Sequence, residues 1–125
     1  MLCRFYFSIL LMIFITCSIE LQAQNVSCAE LMDFVEDKGV KNGSMSAISL
    51  QSSWLHEVTA YSYKMKIYVV AKIKENEYSL STSSYVFCGI PNRNWQNFKS
   101  WNISGDDNYG KKFHEYIMPY TCNCY

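Results

Sequence analysis

The run Tyr85-Val86-Phe87-Cys88-Gly89-Ile90-Pro91, continuing to Trp95 and Phe98, decides how this chain folds. Tyr85 to Cys88 has the aromatic and β-branched character of a short strand. Gly89 gives that strand a tight exit. Pro91 suits the first position of a helix, where the amide that proline lacks would have no partner in any case. Trp95, Phe98 and Trp101 then recur every three residues as a helical apolar stripe. The reading is a last strand followed by a helix that closes a sheet.

Upstream, Lys66 to Lys74 is the clearest strand. Ile67, Val69, Ala71 and Ile73 alternate onto one face, and Lys66, Tyr68, Val70, Lys72 and Lys74 onto the other. Trp54 to Tyr63 is also strand-like in composition, with an alternation too irregular to assign faces. Lys64-Met65 is the turn between the two. Ser79 to Ser84 is a serine-rich connection. Ser46 to Ser53, with Ile48 and Leu50 alternating, suggests an edge strand, and Lys41-Asn42-Gly43-Ser44 has the chemistry of a turn. Earlier still, Ser27-Cys28-Ala29-Glu30 is a capping box that opens a helix. Cys28, Leu31, Met32 and Val35 lie on the apolar face of that helix, and Gly39 is expected to end it in a left-handed cap. Downstream, Ser104 to Asn108 reads as a loop. Tyr109, Phe113 and Ile117 mark a second short helix, which Pro119 keeps from extending. The fold class is α+β: an N-terminal helix, a small antiparallel meander of three or four strands, and two short C-terminal helices.

The first residues are set apart. Met1 to Arg4 carries one positive charge, Phe5 to Ile19 is apolar, and Leu21-Gln22-Ala23 offers a cleavage site. The apolar run is short for a membrane span, which needs roughly twenty residues, and has the length of a signal-peptide core. Residues 1–23 are therefore expected to be a signal peptide cut after Ala23. Lipidation at Cys17 and retention as an uncleaved anchor are the alternatives. Residues 24–52 form the helix and an extension, and residues 53–125 the main domain with a Cys-x-Cys tail. The expected location is periplasmic or extracellular, with no transmembrane span in the mature chain. The formal charge is zero and stays zero without Arg4 and Glu20, so the total gives no excess for tracking a phosphate backbone.

Of the six cysteines, Cys3 and Cys17 belong to the leader. Cys28, Cys88, Cys122 and Cys124 remain, an even number in an exported domain, which reads as two disulfides with three possible pairings; one disulfide or free thiols is the alternative. Cys122 and Cys124 are poorly placed to bond each other. They are expected to reach back separately to Cys28 and Cys88. A structural zinc site would show two spaced ligand pairs, and only one is present, so neither metal nor cofactor is expected.

No catalytic motif stands out, and the chain reads as a non-enzymatic binding or accessory module. Its aromatics, 16% of the residues, are the main lead. Tyr85 and Phe87 point to one side of the last strand and, with Tyr68, would make a stacking platform for a sugar, a base or a peptide if left uncovered. Burial of that pair under the helices is the plainer reading. The lysine face Lys66, Lys72 and Lys74 could meet a nucleic-acid backbone, or could be an ordinary solvated sheet face whose charges block aggregation. Cys88 with His56 or His114 would make a thiol nucleophile and its base, against a disulfide and two surface histidines. Asp106-Asp107 is too sparse in ligands for a calcium loop. Asn25-Val26-Ser27, Asn42-Gly43-Ser44 and Asn102-Ile103-Ser104 fit the glycosylation triplet, which has meaning only in a host that glycosylates.

These residues also carry a resemblance. A strand with Val58 and Tyr61, a turn, a strand over Ile67 to Ile73, an aromatic-x-aromatic triplet with Gly89-Ile90-Pro91 behind it, a helix, and Gly110, Phe113 and Ile117 in the spacing G-x-x-F-x-x-x-I follow in one order. Together they resemble the KTSC domain, a short module found at the C-terminus of some lysyl-tRNA synthetases and as a stand-alone bacterial protein. The resemblance spans residues 53–120. The family's central Tyr-x-Tyr falls on Tyr85-Val86-Phe87, so the second hydroxyl is absent here, and Lys74 to Ser84 is longer than the family's turn. What the resemblance implies about function is RNA binding, suggested by the family's place beside a synthetase.

Overall fold

A computed structural model describes residues 26–100 and 108–125. The expected signal peptide, Cys3, Cys17, Trp101, the Asn102 triplet and Asp106-Asp107 lie outside them. The elements, in chain order, are α1 (Cys28–Lys38), β1 (Val40–Met45), α2 (Ala47–Leu50), β2 (Leu55–Tyr63), β3 (Lys66–Lys74), β4 (Thr82–Phe87), α3 (Asn92–Lys99) and α4 (Tyr109–Tyr116). The four strands form one antiparallel sheet in the order β1-β2-β3-β4. The fold is α+β, a meander with a helix before it and two short helices after it.

The register sorts the strands into two faces. Ala71 lies between Val58 and Tyr85, and Val69 between Ala60 and Phe87. This face carries the main core, roofed by Trp95 and Phe98 of α3 and by Phe113 and Ile117, all fully buried. Phe113 sits at the centre, edge-on to Phe87 at 5.3 Å, to Trp54 at 5.8 Å and to Phe98 at 5.9 Å. Such edge-to-face pairs each add about 0.5–1.5 kcal/mol beyond their area. Asn108 caps α4, its Oδ1 accepting from the Lys111 amide at 2.9 Å.

The opposite face carries Thr59, Val70 and Val86 in one row and Tyr61 beside Tyr68 in the next. Helix α1 lies over part of it. Its start is as expected: the Ser27 hydroxyl accepts from the Glu30 amide at 3.1 Å. Val35 is fully buried, Cys28, Leu31 and Met32 are half-buried, and Phe34 meets the ring of Tyr63 edge-on at 5.0 Å.

Five local expectations need correction. The serine-rich stretch from Ser79 to Ser84 is a connection only at its start: pairing with Lys72 to Lys74 draws Thr82 to Ser84 into β4, which ends at Phe87 and not at Cys88. Gly39 does follow α1, but in extended backbone at φ −73° and ψ 152°. It is needed for closeness: a Cβ there would come within 2.5 Å of the Val35 carbonyl oxygen and 3.0 Å of Tyr61 Cβ. Lys41 to Ser44 is strand, not turn. Asn42 is the extra residue of a bulge between Lys41, opposite Tyr61, and Gly43, opposite Ala60. Ser46 to Ser53 is not an edge strand. Ser46 and Ala47 carbonyls accept from the Leu50 and Gln51 amides, closing one turn of helix that buries Leu50 and leaves Ile48 in solvent. Pro91 stands one place before α3, as its N-cap. The irregular alternation in β2 has its cause in a second bulge: His56 is the extra residue between Leu55 and Glu57, so Leu55 and Val58 share the core face.

The tail is stapled twice. Cys88 bonds Cys122 and Cys28 bonds Cys124, so the two tail cysteines do reach back separately. Thr121 bridges Phe87 on the outer side of β4, the Cys88 amide donates to the Tyr120 carbonyl at 3.0 Å, and the Cys28 amide to that of Tyr125 at 2.8 Å. No helix among the described residues is long and apolar enough to cross a membrane. Peptide mapping under non-reducing conditions is expected to return the linked fragments Cys28–Cys124 and Cys88–Cys122. The double variant Cys28→Ser/Cys124→Ser should be destabilised by about 2–4 kcal/mol in denaturant unfolding. Fragments joining Cys28 to Cys88 would contradict this topology.

Candidate functional site

The hairpin between β2 and β3 has a two-residue loop, and Lys64 and Met65 both take positive φ, at 46° and 63°. This is the backbone of the turn whose twist suits a tight hairpin, usually supplied by Asn-Gly. Here it holds Met65 fully in solvent. Next to it begin Lys66, Ile67 and Tyr68. On the neighbouring strand the chain leaves β4 through Cys88 and turns at Gly89, where φ is +65°. The Ile90 amide then donates to the Ile67 carbonyl at 3.0 Å. Leu31 of α1 and Asn123 of the tail complete an open groove of about 700 Å³ with Pro91 and Asn92.

Two arrangements hold this groove. Ile90, almost fully buried, anchors its β4 side in the core. The tail wall is fixed by the Cys88–Cys122 bond and by Asn94, whose Nδ2 donates to the Tyr116 carbonyl at 3.1 Å and to the Tyr120 hydroxyl at 3.2 Å. Apolar groups come from Leu31, Met65, Ile67, Ile90 and Pro91, and polar ones from Tyr68, Asn92 and Asn123. Lys66 is the one charged residue of the lining. The site therefore offers apolar surface, amide and hydroxyl hydrogen-bond groups, and a single positive charge.

Of the residues singled out in the sequence, the structure brings Lys66, Tyr68 and Cys88 together at this groove. It separates the three aromatics: Tyr68 is on the α1 face, while Tyr85 and Phe87 are on the other. Phe87 is 7% exposed and packs on Phe113, whereas Tyr85 is 50% exposed. The helices cover one member of that pair and not the other, so the two do not form an open platform. Lys72 lies at the far end of β3, its Nζ 3.5 Å from Glu57 Oε2, with Lys74 beyond it. The three lysines of this face thus do not make one patch: Lys66 stands apart from Lys72 and Lys74. Cys88 is bonded to Cys122 and has no thiol to ionise in this form. His56 sits in the β2 bulge and His114 tilts against Trp54 at 5.1 Å.

Leu31, Gly89, Ile90, Asn92 and Asn123 were not singled out as binding residues. A signal for Asn123 did exist: it lies between two cysteines that both had to return to the body of the domain. Among known proteins, no family model, no curated sequence and no solved structure matches this chain.

One neighbouring group has altered acidity. Burial pushes the Tyr61 phenol above its ordinary value of 10.0, and the carboxylates of Glu36 and Glu57 push it further the same way. Because the folded value exceeds the unfolded one, the stability tied to neutral Tyr61 is complete below pH 10 and is lost as the pH climbs through the folded value. Ultraviolet difference titration is expected to show a late-titrating phenol that Tyr61→Phe removes. Above pH 10 the wild type should lose stability more steeply than this variant. Identical curves for the two proteins would show that Tyr61 does not carry the effect.

Proposed function

We propose that this chain is a small exported binding module that holds an extended peptide segment in the groove between α1, the start of β3 and the β4–α3 turn. The observation that carries the reading is the groove itself: a lining of apolar and hydrogen-bonding side chains with Lys66 as its single charge. A partner that presents an apolar side chain next to a carboxylate complements that set. Aromatic and apolar anchors supply most of the affinity in such contacts, and an exposed lysine contributes mainly to orientation. Recognition, not bond-making, is the activity.

Export is part of the same proposal. The leader-like residues 1–23 support it, as do two disulfides, which persist in oxidising compartments. A distant relation to the KTSC module belongs to it as well, supported by the order β2, β3, β4, α3, α4 over the residues that carry the resemblance.

Peptides selected by phage display on the oxidised domain test this reading. Tyr68→Ala is expected to weaken the selected peptides about tenfold or more, Lys66→Ala to weaken chiefly those with acidic flanks, and Tyr85→Ala to leave both sets unchanged. Near-ultraviolet circular dichroism shows whether each variant keeps its fold. Peptides indifferent to Tyr68→Ala would overturn the site. An RNA oligonucleotide retained in a low-salt gel shift and released by joint loss of Lys66, Lys72 and Lys74 would replace the function.

A further inference from the structure

The two edges of the sheet are built differently. The β1 edge carries Lys41 and a bulge at Asn42, both devices that keep an edge from pairing with another chain. The β4 edge has neither. From Tyr78 to Asn92 the chain contains no charged residue, and the one proline lies beyond the strand. Leu80 and Tyr78, just before β4, are almost fully exposed, and Tyr85 is half exposed.

The direction of the backbone groups on β4 follows from three contacts. The Ser81 carbonyl points inward, accepting from the Glu75 amide of the neighbouring chain segment. The Cys88 amide points outward to Tyr120, and the Val86 carbonyl points outward to Cys122 Sγ at 3.4 Å. In an antiparallel ladder these directions alternate, so Thr82 and Ser84 turn both amide and carbonyl to the outside. No backbone partner meets them there among the described residues. Among the described residues, the tail follows the edge only from Tyr120 to Cys122. Its end turns away to α1, the Tyr125 amide donating to the Val26 carbonyl.

We infer that this open stretch pairs with itself, β4 of one copy running antiparallel to β4 of a second copy across a twofold axis at Ser83. In that register Thr82 of each copy faces Ser84 of the other, and every one of these groups already presents its donor and acceptor outward. The pairing stops where the tail begins, which matches the length of the free stretch. Because the segment is uncharged, the symmetric contact sets no charge against its own copy. An unrelated strand would need no such symmetry, but a twofold contact must be self-complementary, and this edge is. The result is one continuous sheet through two molecules, with the two grooves at its sides. It stands independently of the peptide reading.

Sedimentation velocity on the oxidised protein tests this, from about 10 μM to about 1 mM, the range in which a small interface is populated. A monomer–dimer equilibrium is expected. Ser84→Pro removes an outward amide without taking a bond from β3, and should weaken self-association at least about tenfold. Ser83→Lys places like charges directly opposite each other in the closest kind of pair and should abolish it. An equimolar mixture of Ser83→Lys and Ser83→Asp chains should restore a dimer, which a merely unfolded variant would not do. A wild type that stays monomeric throughout, or a dimer untouched by both variants, overturns the proposal.

Discussion

The structure depends on a covalent relay. Cys88 at the exit of β4 holds Cys122, and two residues later Cys124 holds Cys28 at the start of α1. Through that relay a helix at one end of the described chain is tied to the last strand of the sheet. Helix α1 needs the tie. Its one fully buried side chain is Val35, whose burial is worth about 1.5–3 kcal/mol. Ordering each residue's backbone costs about 1–2 kcal/mol. A cross-link contributes about 2–4 kcal/mol, as much as the only full burial the helix makes. The other face has no such dependence, because Trp95, Phe98, Phe113 and Ile117 fill it by packing alone.

That asymmetry explains where the groove lies. It opens where the packed layer of the molecule meets the stapled one. Ile67 and Ile90 belong to the former, Leu31 and Asn123 to the latter. The tight hairpin at Lys64-Met65 and the turn at Gly89 bring two strand ends to the same rim.

Much of the fold was legible in the sequence wherever a period ran long enough. The alternation from Ile67 to Ile73, the stripe of Trp95 and Phe98, the spacing of Phe113 and Ile117, and the cap at Ser27 all translate directly into elements. What could not be read is local and short. Asn42-Gly43 has the composition of a turn, yet the chain around it is pulled into the sheet by pairing with β2, and the surplus residue becomes a bulge. Ile48 and Leu50 alternate like a strand, but two residues cannot distinguish an alternation from one helical turn. The turn closes its own hydrogen bonds, from the Leu50 and Gln51 amides, and buries Leu50. Gly39 was read through its conformational freedom, whereas its lack of a side chain is what the approach of Tyr61 requires. The site is legible only in fragments, because Tyr68, Lys66 and Cys88 stand out for three unrelated reasons and meet only once β3 and β4 pair.

Hydrogen exchange on the oxidised and the gently reduced protein tests this account most directly. On reduction, the amides of α1 from Leu31 to Lys38 and of the tail from Tyr120 to Tyr125 should lose their protection. Those of Val58 to Tyr61 and Val69 to Ala71 should keep theirs. If α1 stays protected after both bonds are broken, or if the whole sheet exchanges along with it, the helix is not held by the relay.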